Sequence, residues 1–152
     1  MGSEAGLNQF VKENSRRHLV LRFDDIEKPI VGQKEVTSQH IDQAIAFAKD
    51  AERLLVTCRA GQSRSVALAY VLSCQSFGST LAMGMLNAKR HIPNQLLIRE
   101  AARILGDPEM ENCFQKWRTA HAHLKLSDYY DEINDEVSAF EQTGIVNQIS
   151  IE

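Results

Sequence analysis

The sequence predicts an α/β fold: a small, mainly parallel sheet flanked by helices, with a helix-rich C-terminal half. Three observations lead there. Two short apolar runs, residues 18–23 and 54–57, read as strands. A stretch with helical periodicity separates them, and an apolar helix follows the second run, which is the order expected of parallel strands joined by a crossover helix. From residue 66 to residue 140, caps and apolar faces recur at helix spacing.

Residues 1–17 are polar apart from Leu7, Phe10 and Val11, whose spacing suits a brief helix. The run His18-Leu19-Val20-Leu21-Arg22-Phe23 leads into Asp24-Asp25 and a loop with two turn formers, Pro29 and Gly32. Thr37 and Ser38 are N-cap candidates, and Ile41, Ala44, Ile45 and Ala48 share one face, so a helix is expected over 38–52. Leu54-Leu55-Val56-Thr57 then reads as a buried parallel strand. Residues 66–72 are apolar almost all round, as a buried helix is, and Gly78 ends that helix. Ser79 or Thr80 caps a helix expected to reach about Arg90, and Pro93 stops it. Asn94 caps a helix with an inner face of Leu97, Ile98, Ala101 and Leu105, ended by Gly106. Asp107-Pro108 is an N-cap followed by proline at the first helical position, and Met110, Phe114, Trp117 and Leu124 fall on one face. A last helix carries Tyr130, Ile133, Val137 and Phe140 and breaks at Gly144. The tail 145–151 alternates as a strand does. The chain divides into residues 1–106 and a helical extension, 107–152, packed on the same domain.

A length of 152 residues fits one domain with a real core. At 43% hydrophobic and 24% charged, the chain has the composition of a folded globular protein. No apolar run approaches the ~20 residues of a membrane span, and Met1-Gly2-Ser3-Glu4 does not open a secretory signal. A cytoplasmic protein with no membrane partner is expected. The net charge of −3 is uneven. Residues 1–106 hold 14 Lys and Arg against 10 Asp and Glu, and residues 107–152 hold 3 against 10. The mildly basic body suits an anionic ligand, and the acidic end argues against nucleic acid. Cys58, Cys74 and Cys113 are odd in number and lack ligand spacing, as do the five histidines, so reduced thiols and no metal are expected.

One stretch carries chemistry: Cys58-Arg59-Ala60-Gly61-Gln62-Ser63-Arg64-Ser65. A thiol that attacks phosphate must be ionised, and its dianionic target must be held beside that second negative charge. A helix N-terminus serves both needs, since its free N–H groups lower a cysteine pKa and bind phosphate oxygens. Cys58 precedes the helix, Gly61 supplies backbone freedom, and residues 59–63 can turn their N–H groups inward as an anion nest. Arg64 adds a planar fork for two phosphate oxygens. Ser65 places a hydroxyl near the sulfur, where it can stabilise the thiolate. A leaving oxygen needs a proton, and a carboxylic acid on a second loop is the usual source. Asp25 is the favoured candidate and Asp24 the alternative.

Residues 54–65 resemble the signature loop of the tyrosine and dual-specificity phosphatase superfamily, in which cysteine and arginine are separated by five residues. The segment is most similar to that of small predicted bacterial tyrosine phosphatases. Leu21-Arg22-Phe23-Asp24-Asp25-Ile26 resembles the family's general-acid segment, the helix begun at Ser38 lies where the family has one, and His91-Ile92-Pro93-Asn94-Gln95-Leu96-Leu97 resembles its Pro-Asn helix start. The resemblance spans roughly residues 18–106. It implies a parallel sheet flanked by helices and metal-free hydrolysis of phosphate monoesters through a phosphocysteine. In it Cys58 is the nucleophile, Arg64 the phosphate clamp, Asp25 the acid and Ser65 the hydroxyl that assists breakdown. Arg59, Ala60, Gly61, Gln62 and Ser63 form the cradle. The implied partner is a phosphorylated protein or a small phosphomonoester, and no cofactor is implied.

Two features depart from the family. Thr57 stands where a histidine usually precedes the cysteine, and only about 17 residues precede the first predicted strand. They leave room for a phosphate-binding module with little turnover. A rhodanese-type sulfurtransferase is a third possibility, although sulfurtransferase loops usually hold one residue fewer.

Overall fold

The computed structural model describes residues 9–123, together with Asp135 and Ser138. The expected position of Leu124, the last helix of Tyr130, Ile133, Val137 and Phe140, and the 145–151 strand lie outside the described residues. The helices bounded among the described residues are α1 (Gln9–Asn14), α2 (Ser38–Ala48), α3 (Arg64–Phe77), α4 (Ser79–Met83), α5 (Gln95–Leu105) and α6 (Pro108–Ala120).

The α/β expectation is overturned: among the described residues there is no strand and no sheet. Residues 18–23 and 54–57, read as strands, are irregular. Burial supplies the reason. A central parallel strand is covered on both faces, yet Leu54 is 41% exposed, Leu55 65% and Val20 42%. Only Phe23 at the end of the first run is buried in the core. A run of four to six residues, three or four of them apolar, also suits an irregular segment that anchors one side chain, and periodicity does not separate the two over so short a run.

Two helices, α2 and α5, start at side-chain caps, whereas Asp107 makes no side-chain cap bond to α6 and the N-cap of α4 is Gly78 in place of Ser79 or Thr80. Thr37 is the extended N-cap of α2; its hydroxyl accepts from the His40 N–H, and His40 Nδ1 accepts from the Thr37 N–H at 3.1 Å. This is a capping box with histidine in the usual Glu position. The helix stops at Ala48, short of the expected residue 52, while Ile41 and Ala44 are buried. The Asn94 side chain caps α5, and Gly106 ends that helix at φ +63°, a left-handed angle that glycine adopts without strain. Pro108 opens α6 as expected.

The helix expected from 79 to about 90 lasts only through Met83. Beyond Gly84, side chains take the backbone donors that a helix would use. The Asn87 N–H donates to His91 Nδ1 at 2.9 Å, and Asn87 Oδ1 accepts the Lys89 N–H at 3.0 Å. Local bonds of this kind compete with helix.

Helices α3 and α5 are central: α3 packs on α2, α4 and α5, and α5 also packs on α2 and α6. The core joins Tyr70 and Val71 of α3, Leu97, Ile98 and Ala101 of α5, and Met110 and Phe114 of α6. Two residues outside the helices, Phe23 and Val36, belong to the same core and draw the irregular N-terminal segment against it. The Tyr70 hydroxyl donates to the Met110 carbonyl at 2.7 Å, tying α3 to α6. Burial holds this phenol well above the usual tyrosine range. Trp117, half-buried, lies between the Phe114 and His121 rings, with centroids 6.1 and 5.1 Å away. Among the described residues no helix is long and apolar enough to cross a membrane.

Because Phe114 is buried in the core with the Tyr70 ring of α3 beside it, Phe114→Ala is expected to lower the unfolding free energy by about 3–5 kcal/mol. Urea denaturation followed by circular dichroism measures it. A loss under about 1 kcal/mol would mean that α6 is peripheral to the core.

Candidate active site

The loop of residues 59–63 runs directly into α3, so the N-terminus of a 14-residue helix stands over Cys58. Gly61 has φ +71°, a left-handed angle that a side chain would make costly. The backbone donors of Gly61, Ser63 and Ser65 in the loop so bent act to lower the pKa of the Cys58 thiol. Ser65 Oγ lies 3.2 Å from Cys58 Sγ, and Ser65 is itself buried.

Partial burial pushes the Cys58 thiol up, but the Ser65 hydroxyl and the three backbone donors together outweigh it. The net result is a thiol below its ordinary pKa. All of these donors lie downstream of the cysteine. Thr57, upstream, is exposed. The other two cysteines differ in kind: both are buried, and burial raises both.

Arg64 is the first residue of α3, and its side chain is only 14% exposed. Nη1 donates to the Phe23 carbonyl at 2.8 Å, which fixes the plane of the guanidinium. Nε is buried without a hydrogen-bond partner, its nearest carboxylate oxygen being Asp25 Oδ2 at 3.8 Å. Such an unmatched donor costs on the order of 1–3 kcal/mol when nothing accepts from it.

Asp25 and Asp24 diverge. Asp25 Oδ1 accepts two hydrogen bonds, from Ser63 Oγ at 2.7 Å and from Asn94 Nδ2 at 2.8 Å. Its carboxylate therefore stands against both the loop and Arg64. Asp24 is engaged elsewhere: Oδ2 accepts from the Lys34 N–H at 2.8 Å, and its own N–H donates to the Lys34 carbonyl at 2.8 Å. That pair closes the 24–34 loop at its base.

The structure thus brings Cys58, Ser63, Arg64, Ser65 and Asp25 together. Arg59 and Ala60 are exposed on the loop, and Gln62 is tied through its carbonyl to the Ile92 N–H at 3.0 Å. The Asn94 N–H also reaches the Ser63 carbonyl, at 3.4 Å. Residues 92–94 therefore brace the loop from below.

Sequence reasoning missed two contributors. The sequence marks Asn94 as a helix cap alone and Ser63 as part of the backbone cradle alone. Asn94 is 3% exposed, and beyond capping the Leu97 N–H it donates to Asp25 and to the Ile26 carbonyl at 3.0 Å. A signal was available: an asparagine cap uses its oxygen and leaves two amide hydrogens to be satisfied if it is buried. Among the described residues no three His, Cys, Asp or Glu side chains gather as a metal site.

Comparison with protein-family models, with curated proteins and with solved structures yields no match.

Iodoacetamide alkylation across pH is expected to show Cys58 reacting with an inflection below that of an ordinary thiol. Removing the hydroxyl with Ser65→Ala withdraws a donor from the thiolate, so the inflection should move upward. An inflection unchanged in Ser65→Ala would assign the whole effect to the backbone donors.

Proposed function

We propose that this chain is a phosphomonoesterase that works through a phosphocysteine, of the tyrosine or dual-specificity type its loop resembles. The observation that carries the reading is the buried Arg64 Nε without a partner, beside a thiol whose pKa is depressed by its own loop. A cation held by the Phe23 carbonyl and an inward-turned backbone together suit a bound oxyanion.

In the proposed reaction, the phosphate oxygens lie against the loop N–H groups and the Arg64 fork. The Cys58 thiolate attacks phosphorus, an S–P bond forms, and the P–O bond to the leaving group breaks. The leaving oxygen takes a proton from Asp25. Water then attacks the phosphocysteine, the Asp25 carboxylate accepts the water's proton, and the sulfur departs as thiolate. The Ser65 hydroxyl, 3.2 Å from that sulfur, supports the departing negative charge. The reaction needs neither a metal ion nor an organic cofactor. Thr57 fits this scheme, because the groups that depress the thiol pKa lie after the cysteine. A phosphorylated protein or a small phosphomonoester would serve as substrate.

Hydrolysis of p-nitrophenyl phosphate without added metal is the test. Turnover is expected in wild type and none in Cys58→Ser. Arg64→Lys keeps the charge but loses the fork and should fall by about a hundredfold or more. No turnover together with tight vanadate binding would replace this reading with a phosphate-binding module. Thiosulfate sulfur transfer without ester hydrolysis would replace it with a rhodanese-type activity.

A further inference from the structure

Asn94 stands 69 residues from Asp25 in sequence, yet its amide meets that carboxylate at 2.8 Å. The two oxygens of Asp25 are not equivalent. Oδ1 receives both neutral donors, Ser63 Oγ and Asn94 Nδ2. Oδ2 faces Arg64 Nε at 3.8 Å and receives neither. A proton on Oδ1 would have to displace one of those two donors, whereas a proton on Oδ2 displaces none. Asn94 therefore bears on which oxygen carries the proton as well as on where the carboxyl sits.

Its own geometry is over-determined. The side chain is buried, Oδ1 accepts the Leu97 N–H at 2.9 Å, and the second amide contact is to the Ile26 carbonyl at 3.0 Å. That last bond ties down the backbone immediately after Asp25. The residue thus grips the acid at two points, on the carboxylate and on the following peptide, from the start of a helix packed in the core.

We propose that Asn94 is the positioning residue for the general acid: with Ser63 it holds Asp25 Oδ1 and presents Oδ2 as the oxygen that protonates the leaving group. This rests on the phosphomonoesterase reading. As the P–O bond breaks, its electron pair goes to the leaving oxygen, which takes the proton from Oδ2 and leaves the carboxylate held by its two donors. The Asn94 side chain bonds Asp25, the Ile26 carbonyl and the Leu97 N–H, and its effect on the reaction passes through Asp25.

The test separates protonation of the leaving group from everything else. Phenyl phosphate expels a basic phenoxide and depends on the acid; dinitrophenyl phosphate expels a weakly basic one and depends on it little. Asn94→Ser keeps a capping oxygen for α5 but loses the amide donor. The expected result is a fall in kcat on phenyl phosphate of about ten- to a hundredfold. Turnover of dinitrophenyl phosphate should change by less than about threefold, with vanadate affinity unchanged. Asn94→Asp, which keeps both the cap and the side-chain size, should reproduce the loss on phenyl phosphate. An equal fall on both esters, or loss of vanadate binding, would reveal a structural role and overturn the proposal. So would an unchanged ratio of the two rates in an active enzyme. A wild type that turns over neither ester removes the reaction and this proposal together, which distinguishes that failure from one confined to Asn94.

Discussion

Both amide hydrogens of the buried Asn94 side chain cross the molecule to the irregular segment that follows residue 18, one to the Ile26 carbonyl and one to the Asp25 carboxylate. The Arg64 guanidinium does the same from the start of α3, donating to the Phe23 carbonyl. These three bonds take over part of the work that a sheet ladder does in an α/β protein. Two of them fix backbone carbonyls and the third a carboxylate between those carbonyls in sequence, and each comes from the N-terminal end of a helix packed in the core. Burial of Phe23, Ile26 and Val36 supplies the non-directional attraction, and the side-chain donors supply the register.

The electrostatics of the site follow from that arrangement. The Cys58 thiol lies below its ordinary pKa because the Ser65 hydroxyl, and after it the backbone of the loop that bends at Gly61, outweigh the effect of burial. The guanidinium of Arg64 is oriented by a carbonyl, which is neutral, and its Nε is left without an acceptor. A carboxylate bonded directly to Nε would have matched that donor and competed with an incoming anion. Asp25 instead stands 3.8 Å off, held away by Ser63 and Asn94. The carboxylate is near the guanidinium without matching its Nε.

Several elements were legible in the sequence because their causes are local. The cap and stop signals around α5 and α6 lie within a few residues of each helix end: Asn94 and Gly106 for one, Asp107-Pro108 for the other. The helix after the cysteine loop begins at Arg64, where the change from small polar residues to an apolar run placed it. The sheet was misread because a strand is defined by its neighbour. Leu54 and Leu55 carry the composition of a buried strand, yet both are exposed, and nothing within residues 54–57 records whether a ladder partner exists. The overlong fourth helix failed for a related reason, since Asn87 and His91 satisfy the backbone through their side chains.

By itself the sequence determined that a thiol, a glycine turn, an arginine and a hydroxyl would meet at one helix N-terminus. All four lie within eight consecutive residues, and backbone geometry alone keeps them together. Tertiary structure decided which of two adjacent aspartates faces them. Asp24 and Asp25 are identical in composition and differ by one position. Asp24 closes its own loop on Lys34, and Asp25 meets Ser63 and Asn94, 38 and 69 residues further along the chain. The direction of a side chain outside helix and strand is set by its long-range partners, because no backbone repeat constrains it.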